Sequence, residues 1–141
     1  MSSRETIQNL RHSAPLVLPS MLLCDFGNLE REVRALEDAG AAALHLDVMD
    51  GHFVPNTSYG LTLVETFRRL TTLPLDVHLM VERPDHYFPR FVEAGANNIT
   101  VHVEAPHHVA GTLKGIREAG CTCGLALNPA TDFEEVRPYL G

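Results

Sequence analysis

The sequence is short of positive charge. Its 11 lysines and arginines stand against 18 aspartates and glutamates, a formal net charge of −7. So acidic a balance argues against nucleic acid or an anionic membrane as partner, since both attract basic surfaces. It leaves room for a small phosphorylated ligand, because backbone amides at helix N-termini bind phosphate whatever the net charge. Long apolar runs are missing too, and nothing approaches the roughly 18–20 residues that span a bilayer. Residues 1–14 are polar and lack the apolar centre of a signal peptide. They read as a flexible extension ahead of a domain covering residues 15–141. Cysteine is scarce, and the odd trio of Cys24, Cys121 and Cys123 has no framework spacing. Reduced thiols in a cytoplasmic protein are the expectation. Cys121-Thr122-Cys123 has no second thiol or imidazole pair beside it, so these read as small residues entering a buried strand.

What is present fits one soluble domain: 141 residues, 45% hydrophobic and 21% charged. The chain is organised around Leu44-His45-Leu46-Asp47-Val48-Met49-Asp50-Gly51. In a strand, His45, Asp47 and Met49 project from one face and Leu44, Leu46 and Val48 from the other. Leu75-Asp76-Val77-His78-Leu79-Met80 repeats the scheme, with Asp76, His78 and Met80 together. An aliphatic outer face suits packing against helices. The inner face, carrying imidazole, carboxylate and thioether, asks for a metal or a substrate.

Along the chain, strands and helices alternate. Leu16–Leu18 reads as a short strand, and Asn28 as the N-cap of a helix running to about Ala39. Strands follow over about Ala42–Val48, from Leu75, over Asn98–Val103 and over Cys123–Leu127. A long loop spans Asp50 to Tyr59. Helices are expected over Leu61–Leu70, from Pro84 to Gly95, and over His107–Ala119, with a last one capped by Thr131. A weak repeat closes the helices with Ala-Gly, at Gly40, Gly95 and Gly120. Aligned on these glycines, His102 falls at the position of Asp47.

This alternation implies a parallel sheet with right-handed crossovers. An open, doubly wound sheet would be apolar on both faces. A barrel tolerates polar residues near the C-terminal rim of its interior, where active sites sit. His45, Asp47, His78, His102 and Glu104 all fall late in their strands, so the expected fold class is α/β, a TIM (β/α)8 barrel. About five βα units can be counted, fewer than the eight of a full barrel.

The runs Pro19-Ser20-Met21-Leu22 and His45-Leu46-Asp47-Val48-Met49-Asp50-Gly51-His52-Phe53-Val54-Pro55-Asn56 resemble the signature of ribulose-phosphate 3-epimerases. Asp76-Val77-His78-Leu79-Met80-Val81 and Leu127-Asn128-Pro129-Ala130-Thr131 are similar to that family in the same order. The resemblance implies a ribulose-phosphate-binding barrel that interconverts D-ribulose 5-phosphate and D-xylulose 5-phosphate at C3, in the pentose phosphate pathway. It implies one divalent metal ion, held by His45, Asp47 and His78, with Asp47 also a catalytic acid/base residue. It further implies that Ser20, His78, Met49 and Met80 contact substrate, and that the full-length form is a homo-oligomer. The family's second acid/base aspartate lies in an Asp-Gly-Gly setting, and no such stretch occurs here.

The residue types suit that chemistry. Removing the proton on C3, next to the C2 carbonyl, makes an enediolate whose charge a divalent cation can absorb. Imidazole and carboxylate donors suit Zn²⁺, Fe²⁺, Mn²⁺ or Co²⁺ alike. Inversion needs a carboxylate on each face of the carbon, and Asp47 is one of them. Thioethers offer bulk without a competing proton. Asp76 is expected behind a ligating imidazole. His107, His108 and His86 are expected to be solvated, with Asp25 and Asp50 as cap and turn residues. A related decarboxylase or aldolase would show Asp-x-Lys-x-x-Asp where this chain has Asp76-Val77-His78-Leu79-Met80-Val81. A hexulose-6-phosphate 3-epimerase and a non-catalytic barrel piece that binds metal or pairs with another chain remain as alternatives.

Overall fold

The computed structural model describes residues 15–140 together with Ile7 and Leu10. Four strands, β1 (Leu44–Met49), β2 (Leu75–Met80), β3 (Asn98–His102) and β4 (Thr122–Ala126), form one parallel sheet in the order β1-β2-β3-β4. Each strand pairs with the next in sequence. The winding therefore never reverses, as it would at the switch point of a doubly wound sheet, and right-handed crossovers put every helix on the same side. This is the progression of a (β/α) barrel.

The crossovers are α1 (Leu29–Asp38), α2 (Leu61–Leu70), α3 (Pro84–Glu93) and α4 (Val109–Glu118). Their apolar stripes bury Val33, then Val64 and Phe67, then Phe91, then Leu113 and Ile116, against the aliphatic face of the sheet. On that face Leu44, Leu46, Leu75, Val77, Leu79, Ile99 and Val101 are fully enclosed, while the alternate residues of β1 and β2 stay half-buried. The two-residue period thus sorts aliphatic from polar, as the sequence predicts. Three helices stop at Gly40, Gly95 and Gly120, whose φ values of 82°, 103° and 91° lie where a Cβ is costly. The Ala-Gly repeat is therefore a helix stop repeated unit by unit.

Two local expectations need correction, and one needs refining. Leu16–Leu18 is not in the sheet. Contact begins one step later, with a single parallel bridge between Ser20 and His45, where His45 N–H donates to Pro19 C=O and Met21 N–H to His45 C=O. Pro19 has no N–H to offer a ladder, which limits how far the pairing extends. Asn28 holds the N-cap position of α1, as expected, but its side chain makes no capping hydrogen bond to the helix. A 3₁₀ turn, Phe26–Asn28, precedes the helix, and Asp25 caps that turn by accepting from Gly27 N–H, with Asn28 Nδ2 donating to Asp25. Asp25 is therefore the cap that its residue type suggests.

The last expected helix is a pair of 3₁₀ turns, Phe133–Glu135 and Arg137–Tyr139, and Asp132 caps the first through Glu134 N–H. Pro138 cannot continue an α-helix and disfavours the helical conformation at Arg137. Thr131, released from capping, turns elsewhere, as described below. The expectation of a flexible extension over residues 1–14 falls outside the described residues except at Ile7 and Leu10. Both are helical, and they line a small cavity with Leu16, Leu18, Asp76 and Asn98. No helix among the described residues is long and apolar enough to cross a membrane.

Candidate metal centre

Parallel pairing of β1 with β2 sets His45 level with Asp76, Asp47 with His78 and Met49 with Met80. All six point to the half-open face. Side chains on neighbouring strands at one level reach each other, so the sheet register alone builds the cluster. His45 Nδ1 lies 2.7 Å from Asp76 Oδ2, and its Nε2 lies 3.1 Å from Asp47 Oδ1. His78 Nδ1 approaches the same Asp47 oxygen at 3.5 Å. One donor atom from each of His45, Asp47 and His78 lies within 4.8 Å of the others. The other Asp47 oxygen accepts from the Ser20 hydroxyl at 2.5 Å. Met49 and Met80 sit beyond this cluster at the C-terminal ends of the two strands.

The surroundings define what each group can do. Burial pushes the Asp76 carboxyl up, but bonds from His45 and from Asn98, whose Nδ2 donates at 2.6 Å, outweigh it and hold Asp76 below the usual carboxylate range. Asp76 is thus an anion fixed behind His45, the supporting role expected of it. His45 is pushed above the ordinary imidazole value, chiefly by its bond to Asp76, with burial opposing. His78 moves the other way, through burial first and then the neighbouring His102 and His45.

A divalent ion fits this donor set. A carboxylate only accepts, so Asp76 takes the proton of His45 Nδ1 and leaves the Nε2 lone pair of the neutral ring facing Asp47. Two acceptors 3.1 Å apart call for a positive charge between them, which either a second proton on the ring or a metal ion supplies. Imidazole, imidazole and carboxylate are the donors that Zn²⁺, Fe²⁺, Mn²⁺ and Co²⁺ share.

Supports that the sequence did not reveal come from the loop after β1. Tyr59 OH accepts from Asp47 N–H at 3.1 Å, and Ser58 OH donates to Asp47 C=O at 2.5 Å while accepting from Met49 N–H. Together they clamp the backbone on both sides of Asp47. Burial raises the Tyr59 phenol and keeps it neutral. Asp50 makes the turn expected of it, accepting from His52 and Phe53 N–H and from Glu82 N–H. His86 is exposed, and His108 caps α4 by accepting from Gly111 N–H. His107 departs from expectation: it is half-buried, bonded to the Thr112 hydroxyl and the His102 carbonyl.

His102 and Glu104 reach the site by a different geometry from that of the glycine alignment. The register pairs Asp47 with His78 and His78 with Thr100, so Thr100 stands level with Asp47 and His102 lies one pair further along. From there His102 Nε2 meets His78 Nε2 at 2.8 Å. Cys121 is buried and donates to Ala96 C=O, and all three cysteines are free thiols.

Comparison with known proteins agrees with this architecture. The profile of the Ribulose-phosphate 3 epimerase family matches residues 16–141. Ribulose-phosphate 3-epimerase of Bacillus subtilis (strain 168) is 48% identical over 120 residues, covering 85% of this chain and 55% of that protein. The Aquifex aeolicus (strain VF5) enzyme of the same name is 44% identical over 125 residues, covering 89% and 56%. Ribulose-phosphate 3-epimerase 1 of Cupriavidus necator is 51% identical over 113 residues, covering 80% and 47%. The chain therefore spans about half the length of the curated relatives it matches. Among solved structures, tryptophan synthase subunit alpha from Legionella pneumophila str. Paris superposes with a TM-score of 0.64 at 18% identity, over 97% of this chain and 63% of that one. That likeness is one of fold, and it places the sheet among TIM barrels. With a barrel-type sheet, a clustered His-Asp-His face and a profile match over nearly its whole length, the chain belongs to the Ribulose-phosphate 3 epimerase family.

Proposed function

We propose that this chain carries the metal-holding half of an epimerase site that interconverts D-ribulose 5-phosphate and D-xylulose 5-phosphate at C3. The observation that carries the proposal is the convergence of His45, Asp47 and His78 on one point, with one Asp47 oxygen left over for Ser20. His45 Nε2, Asp47 Oδ1 and His78 Nδ1 would hold a divalent ion. When bound, it would supply Lewis-acid polarisation of the sugar oxygens beside the reacting carbon.

The remaining work falls to the side chains. Asp47 Oδ2, the oxygen bonded to Ser20 and not to the imidazoles, is the one that exchanges the C3 proton on its own face. It takes the proton from one epimer in one direction and delivers it in the reverse direction, while a second group serves the opposite face. The Ser20 hydroxyl orients that oxygen, and it is itself fixed by Leu22 N–H, which donates to it at 3.2 Å. Because Ser58 and Tyr59 bind the backbone of residue 47, the carboxylate is held in place before substrate arrives. Met49 and Met80 would wall the sugar with groups that cannot exchange a proton. Epimerisation also needs an acid/base group on the opposite face of the carbon and a grip on the phosphate. Both would come from barrel strands beyond those described here. A cytoplasmic location accords with the three free thiols.

The test is to assay conversion of ribulose 5-phosphate in the presence of a divalent ion. Both this chain and a version extended to the length of its relatives would be used. Turnover by the longer version, lost on chelation, is expected. A longer version that folds, binds metal and leaves ribulose 5-phosphate unchanged would overturn the proposal.

A further inference from the structure

We propose that Glu104 is a positioning residue for the metal centre: acting through His102, it holds the His78 proton on Nε2 and leaves the Nδ1 lone pair bare toward Asp47. The inference rests on the metal role proposed for His78. It concerns a carboxylate that touches neither Asp47 nor the ion.

The chain of contacts has a direction built into it. Glu104 Oε1 is saturated, accepting from Asn128 N–H at 2.6 Å and from the Thr131 hydroxyl at 2.5 Å. Its other oxygen, Oε2, lies 3.2 Å from His102 Nδ1. A carboxylate can only accept, so His102 Nδ1 carries a proton, and in the neutral ring its Nε2 is a bare acceptor. That Nε2 is 2.8 Å from His78 Nε2. One of two nitrogens at that distance must donate, and the donor is His78. A neutral His78 with its proton on Nε2 presents its lone pair at Nδ1, the atom 3.5 Å from Asp47 Oδ1.

The ring geometry supports a hydrogen bond between the two histidines. Their planes are 17° apart with centroids separated by 5.0 Å. That separation is the N–N distance plus the two ring radii, so the rings meet edge to edge in nearly one plane. A face-to-face stack would bring the centroids closer. His102 is 6% exposed, and the Phe53 ring covers it with centroids 4.9 Å apart. Water is therefore kept from supplying the proton instead.

The arrangement mirrors the other ligand. Asp76 fixes His45 directly, proton on Nδ1 and lone pair on Nε2, while Glu104 fixes His78 through one intervening imidazole, with the roles of the nitrogens exchanged. Because Thr131 and Asn128 are bonded to Glu104, the segment after β4 helps to set the ligand state of a residue on β2.

Glu104→Gln tests the relay with almost no change in shape. The amide oxygen would keep Asn128 and Thr131, and the NH₂ would face His102 Nδ1. Every proton in the relay then reverses, and His78 Nδ1 becomes protonated and unable to ligate. Long-range ¹H–¹⁵N spectra of the metal-free, ¹⁵N-labelled chain at neutral pH read the tautomers directly. The wild type should show His78 protonated on Nε2 and Glu104→Gln should show it on Nδ1. Cobalt(II) titration should show affinity falling about 10–100-fold in Glu104→Gln. A wild-type His78 protonated on Nδ1, or a Glu104→Gln chain with unchanged cobalt(II) affinity, would overturn the relay. If the wild type takes up no cobalt(II) at all, the metal role itself fails and the relay loses its ligand function. Should Glu104→Gln not fold, the wild-type tautomer decides alone.

Discussion

His45 Nδ1 and Asp76 Oδ2 are 2.7 Å apart across two adjacent strands that the register holds level. That one contact decides which way the His45 ring faces. With Nδ1 committed to a half-buried carboxylate, only Nε2 is left to meet Asp47. The sheet pairing and the ligand geometry are therefore the same fact seen at two scales.

Asp76→Asn should weaken metal binding without disturbing the strand. The amide can keep its bond from Asn98 through oxygen, but its NH₂ would then face His45 Nδ1 and drive the proton onto Nε2. A loss of about 10–100-fold in cobalt(II) or zinc(II) affinity is expected from isothermal titration. Unchanged affinity would mean that Asp76 is no more than a half-buried partner.

Much of this was legible in the sequence. Alternation in Leu44–Met49 and Leu75–Met80 gave both the polar and the aliphatic face, because in a strand the face depends only on parity. The assignment of His45, Asp47 and His78 as a set leaned on the family resemblance, and the register that brings Asp47 level with His78 is seen only in the structure. His102 was harder. It occupies the same place in its repeat as Asp47, but the sheet stagger moves it one pair beyond, to meet His78, and register between separate strands is not written in either one alone. The terminal elements failed for a local reason. Pro19 and Pro138 each deny the backbone hydrogen bond that the surrounding pattern calls for. Thr131 shows the cost of judging a residue by type, since a hydroxyl suited to capping is spent on Glu104.

Gly124→Ala should destabilise the sheet. A Cβ at Gly124 would lie 2.5 Å from Thr100 Oγ1 and 3.3 Å from Thr100 Cβ, on the paired residue of β3. Thr100 is β-branched and has little rotamer freedom with which to yield. A cost of about 1–3 kcal/mol is expected from overpacking, larger than the gain from a stiffer unfolded chain. Urea denaturation checks it, and equal or greater stability would show that the two strands are not in the register described.

Stability should fall with acid partly through Glu104. Burial pushes its carboxyl up, but the bonds from Thr131, Asn128 N–H and His102 outweigh burial and set it below its ordinary 4.5. A group depressed in the folded state contributes stability that is present above the unfolded value and lost as pH falls through the folded one. Between about pH 6 and pH 3 the melting temperature of the wild type should therefore drop more steeply than that of Glu104→Gln. Parallel curves would show that Glu104 is bonded no better in the folded chain than in the unfolded one.

The most direct test of Asp47 as the group that moves the proton is hydrogen exchange at C3. Ribulose 5-phosphate in D₂O, followed by proton NMR with a metal-loaded version extended to the relatives' length, should lose its C3 proton signal. In Asp47→Asn the amide cannot take a proton at neutral pH, and exchange should slow by roughly 10²–10⁴-fold or more. Because Asp47 is also placed among the ligands, metal content is measured on the same sample and the rate is expressed per bound ion. Exchange near the wild-type rate in metal-loaded Asp47→Asn would remove Asp47 from the chemistry and contradict the assignment made here.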